Sequence, residues 1–267
     1  MDDWAGFGAS SFVIVTEDLV PKQPSNVILM GTGTVWAKAA RSIQACRLAA
    51  AGDIGIGPMW AVRACRFNAG IGGPDRVGVS VPTTGSETVW SDSIGEAYPQ
   101  IYAQLKQLEK AGYGASPGNL DIALRSFMAT YDRWPNWPDS QILDLTTALE
   151  ALLGTETEIA FKLAFRVAAL LAGNDTERAQ ILKTMKDFYD TRSKLVHGTA
   201  LKPKHHQRLT RVNELRLFVR RLLRAFVALA ANPPGIYNKT FFNEQLDMAL
   251  VDATEREKLR AALKLDA

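Results

Sequence analysis

The feature that most limits what this chain can become is a change of hydrophobic period. From about Ser91 onward, apolar residues recur at the three- and four-residue spacing of a helix, and each segment closes on a capping or helix-breaking residue. Ile101, Leu105 and Leu108 share one face of a helix ending near Gly112, with Pro99 expected in its first turn, where a missing N–H costs nothing. Leu120, Ala123, Leu124, Phe127, Met128 and Tyr131 form the next stripe, which stops before Pro135. A third helix opens at Asp139 or Ser140 and runs to Leu153 before Gly154, with Ile142, Leu145, Leu149, Leu152 and Leu153 inward. The fourth begins on the capping-box pattern Thr155-x-x-Glu158 and ends at Gly173; Ile159, Leu163, Val167, Leu170 and Leu171 are its core candidates. A fifth, capped by Asp175, extends to about His197 with Gly198 behind it, and a sixth from about His205 to Ala231 is stopped by Pro233 and Pro234. Two short terminal helices are expected at Phe241–Leu250 and Thr254–Leu263. Stripes joined by short turns can be buried only against one another, so a bundle of roughly antiparallel helices is the expected result.

The first 88 residues read differently. Short β-rich runs at Ser11–Thr16, Asn26–Met30, Trp60–Phe67 and Arg76–Val81 are punctuated by glycine and proline, with one helix expected from about Val35 to Ala51. Gly31-Thr-Gly33-Thr-Val-Trp36 begins like a dinucleotide fingerprint, but Trp36 fills the last small-residue position, so the segment reads as a turn. The expected fold class is mainly α in three parts: a small β-rich α+β module over 1–88, a helical bundle over 89–232, and a helical tail over 233–267 packed on the bundle.

Composition removes several function classes. A formal charge of +3 over 267 residues is too small to argue for nucleic acid by itself, so the placement of the cations matters. Two cysteines, Cys46 and Cys65, do not make a disulfide framework, and a reducing, cytoplasmic setting is the simpler reading. The most apolar stretch, Ala160 to Gly173, is broken by Lys162 and Arg166 and is too short to span a bilayer, so no membrane segment is expected. The chain has no P-loop, no C-x-x-C and no H-E-x-x-H, and the adjacent His205 and His206 diverge on a helix, so neither metal nor cofactor is expected.

The fifth helix carries the most informative residue. Ile181, Met185, Phe188, Leu195 and Val196 define its apolar arc, and Arg192 falls in the middle of that arc, opposite Lys183, Lys186, Asp187, Asp190 and Lys194. A guanidinium on a core-facing position is costly unless it is paired or reaches a wet cleft. Two readings follow. One is an ion pair with Glu150, at the edge of the third helix's stripe; the other is a phosphate-binding arginine in a cleft between helices or subunits. His197, one of three histidines, follows five residues later, about 140° away on an ideal helix; fraying of the last turn would let it swing toward the same cleft. Its plainer role is a C-terminal cap that favours the helix dipole.

The run Asp190-Thr-Arg192-Ser-Lys-Leu-Val-His197-Gly198 resembles the R-x4-H signature of the HEPN (higher eukaryotes and prokaryotes nucleotide-binding) superfamily, especially its ApeA-like branch. The Leu149-Glu150-Ala-Leu-Leu153 helix, the Glu156–Glu158 helix start and the Phe188-Tyr189 approach carry the same resemblance, which covers about Leu120 to Asn232. It implies a HEPN-like antiparallel bundle and a metal-independent endoribonuclease, such as a toxin or anti-phage defence effector. RNA can be cut by its own 2′-hydroxyl, so such a site needs an acid/base near neutral pH and a cation on the phosphoryl oxygens. The resemblance assigns these roles to His197 and Arg192, with Ser193 at the polar position after the arginine. It also implies a homodimer with two motifs facing each other, and a protein regulator or sensing role for the first part of the chain. The competing readings are a non-catalytic nucleotide- or RNA-binding module and a helical dimerisation scaffold.

The sixth helix offers an RNA surface. Arg216, Arg220 and Arg224 are spaced by four and line up opposite Leu215, Phe218, Leu222 and Phe226, with Arg221 beside them and Lys202 and Lys204 upstream. Such a stripe is either a solvated polar face or a track for phosphates whose binding weakens with salt.

Overall fold

A computed structural model describes residues 33–52, 54, 60–61, 75–76, 91–110, 119–133, 135, 137–154, 158–231 and 239–265. The protein is mainly helical, with ten helices among the described residues: α1 (Gly33–Ala49), α2 (Asp92–Lys110), α3 (Asn119–Asp132), α4 (Pro138–Leu153), α5 (Ile159–Leu171), α6 (Asp175–Val196), α7 (Pro203–Leu209), α8 (Val212–Ala231), α9 (Lys239–Val251) and α10 (Ala253–Ala262). The strands among the described residues are a two-residue antiparallel pair, β1 (Trp60–Ala61) on β2 (Asp75–Arg76), with Trp60 opposite Arg76. The runs expected at Ser11–Thr16 and Asn26–Met30 lie outside the described residues, as does Cys65. Gly33, expected in a turn, opens α1 instead.

Consecutive helices pair, α1 with α2, α3 with α4, α5 with α6 and α9 with α10, while α8 packs against α1, α2, α3, α4 and α5. The stripes read from the sequence form one core: Ile101, Leu105, Phe127, Leu145, Leu149, Val167, Phe188, Leu222 and Phe226 are buried together, joined by Ala45 and Leu48 of α1 and by Leu246, Ala249 and Leu259 of the last two helices. The Cys46 thiol in α1 is pushed up to about 11 by burial, which keeps it protonated and a poor nucleophile at neutral pH.

Several boundaries differ from expectation. Pro99 is inside α2, because that helix begins at Asp92 and not a turn later. Asn174, not Asp175, caps α6: its side chain accepts the Glu177 N–H. Glu158 occupies the N-cap of α5 with φ 53 and makes no side-chain cap, so it is not the third residue of a capping box; Thr155 lies outside the described residues. The single sixth helix is two, α7 and α8. The Thr210 hydroxyl donates to the Gln207 carbonyl at 2.8 Å and the Arg211 N–H bonds back only three residues, to Arg208, at 3.0 Å; the regular ladder lapses there. No described helix is long and apolar enough to cross a membrane.

Candidate functional site

Helix α6 presents Ile181, Met185 and Phe188 to the core, where all three are buried. Arg192 continues that face one turn on, at the point where α6 runs along α4. Its guanidinium meets Glu150 of α4, with Nη2 at 3.4 Å from both carboxylate oxygens. Neither side chain is fully enclosed: Arg192 keeps 27% of its side-chain surface exposed and Glu150 keeps 23%. Tyr189 completes the group. Its hydroxyl donates to Glu150 Oε1 at 3.0 Å, and its ring centre lies 5.5 Å from the Arg192 guanidinium carbon. Burial, then the adjacent Glu150 charge and hydrogen bond, raise the Tyr189 phenol's proton affinity, against a smaller opposing pull from Arg192. Tyr189 is thus a neutral donor that orients the carboxylate.

The helix does not fray before His197. The His197 N–H donates to the Ser193 carbonyl at 3.1 Å, the Gly198 N–H to Leu195 at 3.2 Å and the Thr199 N–H to Lys194 at 2.9 Å. With Gly198 left-handed at φ 61, this is a Schellman closure, which ties off the last carbonyls. His197 therefore keeps its helical bearing, about 140° around the axis from Arg192, and is exposed. The expected swing of His197 into the Arg192 cleft through a loosened turn is corrected: the turn is closed. Within one chain, Arg192 and Glu150 are brought together and His197 stands apart on the helix end. Ser193 is half-buried and contributes its carbonyl to the closure. Val196, expected in the apolar arc, is 52% exposed beside His197.

The opposite side of α6 holds α7. Asp190 Oδ2 accepts from Lys204 Nζ at 2.8 Å and meets His205 Nε2 at 3.1 Å, while Asp187 is paired with Arg208. His205 is buried, and its Nδ1 lies 3.0 Å from the Lys202 backbone N–H. A backbone N–H can only donate, so Nδ1 is the acceptor and the ring proton sits on Nε2, aimed at Asp190. The Lys204 contact, and after it the His205 contact, hold the Asp190 carboxyl below the usual carboxylate range. Among the described residues no three His, Cys, Asp or Glu side chains cluster as a metal site requires.

The basic stripe of α8 is divided. Arg216 and Arg220 are buried, not on an open polar face. Arg216 Nη2 donates to Gln141 Oε1 at 2.7 Å; Arg220 Nε donates to the Arg47 carbonyl at 3.0 Å and its Nη2 to the Tyr131 hydroxyl at 3.0 Å. The reason is that α8 is flanked by helices on several sides, so α1 and α3 cover the edge that the sequence pattern leaves polar. Arg221 and Arg224 are exposed, and Lys202 and Lys204 are exposed at the start of α7. Tyr189 and the Asp190–His205 pair are the polar partners that sequence reasoning did not single out for a role. Tyr189 was within reach, since it lies three residues before Arg192 on the same face. The Asp190–His205 pair depends on how the chain folds back after Gly198, which no local pattern records. A comparison with known proteins finds no matching family model, curated protein or solved structure.

Proposed function

We propose that this chain is a HEPN-type, metal-independent endoribonuclease in which Arg192 clamps the scissile phosphate and His197 is the general acid/base. The observation that carries the reading is how lightly Arg192 is held. Its contacts to Glu150 are long, at 3.4 Å, and over a quarter of its side chain is open. A part-exposed pair of this kind is weak, so a phosphate can take the guanidinium from Glu150 at small cost. His197, exposed one turn later, is accessible to a substrate, and its imidazole can give or take a proton. Because the two side chains diverge around α6, the reading requires a dimer in which the motif of each copy completes the other, with Arg221, Arg224, Lys202 and Lys204 as accessible cations for the RNA backbone. A toxin or defence role and control by a protein regulator belong to the same proposal.

The Glu150–Arg192–Tyr189 group favours one alternative, a helical scaffold or nucleotide- or RNA-binding module in which the arginine is only structural. Incubation of the purified chain with RNA in EDTA separates them. The proposal expects cleavage leaving cyclic phosphate ends, lost by at least about a hundredfold in both Arg192→Ala and His197→Ala while both variants stay folded. Binding without cleavage, or cleavage untouched by His197→Ala, defeats it.

A further inference from the structure

We propose that Arg220, with Arg47, Arg216 and Arg224 around it, forms a site for a small phosphate-type oxyanion between α1, α3 and α8. Arg220 is 5% exposed. Its Nε and Nη2 are satisfied by neutral groups, the Arg47 carbonyl and the Tyr131 hydroxyl, each at 3.0 Å, and its buried Nη1 has no hydrogen-bond partner among the described residues. Among the described residues, no carboxylate is paired with it. A carbonyl and a phenol satisfy N–H geometry but do not neutralise a buried charge, which is costly to leave uncompensated.

The neighbours deepen that deficit. The Arg47 and Arg216 guanidinium carbons lie 4.6 and 5.0 Å from the centre of the Tyr131 ring, so three guanidinium groups gather at this tyrosine. Arg47 is paired with Asp132 at 2.6 Å, a carboxylate on the outer end of α3. One turn beyond Arg220, Arg224 reaches the surface and forms the rim; partial desolvation against the bundle, together with the Arg220 charge beside it, lowers its proton affinity. Two like charges on one helix edge, one of them with a free buried donor, favour an anion between them. A water could accept from Nη1 but would leave the charge. An oxyanion does both, and arginine's donor fork suits the phosphate class. The burial of Arg220 limits the ligand to free phosphate or the terminal phosphate of a nucleotide entering past Arg224. This site makes no use of Arg192 or His197 and does not rest on the ribonuclease reading.

Isothermal titration calorimetry of the full chain with inorganic phosphate, and separately with adenosine monophosphate, tests the site in chloride buffer at fixed ionic strength. Saturable one-to-one binding is expected, weakened about tenfold in Arg224→Gln and abolished in Arg220→Met. Tighter binding of the nucleotide identifies a terminal phosphate as the ligand; tighter binding of the inorganic ion identifies free phosphate. If Arg220→Met does not fold, Arg224→Gln, at an exposed position, decides alone. Absence of saturable heat with both ligands, or equal affinity in wild type and Arg224→Gln, overturns the proposal. So does saturable heat with single-stranded RNA and with neither small ligand.

Discussion

Arg192 of α6 and the buried arginines Arg166 of α5 and Arg260 of α10 occupy similar places in the sequence, on or beside apolar helical stripes, yet they are held in opposite ways. The arginines of the bundle centre are committed to backbone. Arg166 Nη1 donates to the Leu153 carbonyl at 2.6 Å and Arg260 Nη1 to the Leu170 carbonyl at 2.7 Å. These carbonyls belong to the last turns of α4 and α5, where the helix leaves its acceptors unpaired and its dipole is negative. Much of the chain's positive charge is therefore architectural. Arg192 caps nothing; it meets Glu150 at a distance and the Tyr189 ring, and stays partly open. The difference teaches that how fully a cation is paired, not the stripe it sits on, separates an architectural arginine from one still able to take a ligand.

The largest effect that could break this contrast is at Arg166. Its side chain is fully buried and also holds Asp247 at 2.6 Å and Asn243 at 2.9 Å, tying α9 to the bundle. Arg166→Met is expected to cost about 3 kcal/mol, because it strands the Leu153 carbonyl and releases α9. Arg192→Met is expected to cost about 1 kcal/mol or less, as part-exposed pairs do. Urea unfolding of the two variants measures both; equal losses would mean that Arg192 is as structural as Arg166.

A smaller effect sharpens the description of the helix end that carries His197. A Cβ added to Gly198 meets nothing within 4 Å, so the cost of Gly198→Ala is the left-handed φ of 61 alone. That predicts a loss of about 1 kcal/mol, with Gly198→Asn closer to wild type because asparagine tolerates this conformation. Equal stability of the alanine variant and wild type would show that the closure does not hold the last turn.

What was legible in the sequence follows from what is local. The 3.6-residue period identified the inward residues of α3, α4 and α5 because each buries one face against neighbours joined to it by short turns. The Arg192–Glu150 pair could be anticipated because both lie at the inner edges of their stripes, and an inward charge needs a partner. The fate of Arg216 and Arg220 could not, since it depends on α8 having helices on several sides, and α1 arrives from more than a hundred residues upstream. The break at Thr210 was hidden for a different reason: its hydroxyl–carbonyl bond is of a kind that Thr130, Thr146 and Thr191 also make inside unbroken helices, so the residue type does not mark the break.

The outer face of α6 supplies the smallest and most specific test. The Asp190 carboxyl is held below its usual range first by Lys204 and then by His205. A depressed carboxylate contributes stability that is fully present above the unfolded carboxyl pKa, about 3.9, and is lost as pH falls through the lower folded value. Wild type should therefore exceed Asp190→Asn in urea midpoint at pH 5 to 7, and the gap should close as pH drops below about 4. With 40% of the Asp190 side chain exposed, solvent screens much of the effect and the gap will be modest. A gap that persists unchanged to pH 3 would mean that Asp190 anchors α7 by packing alone. A gap that closes as described assigns part of the holding of α7 on α6 to the Asp190 charge.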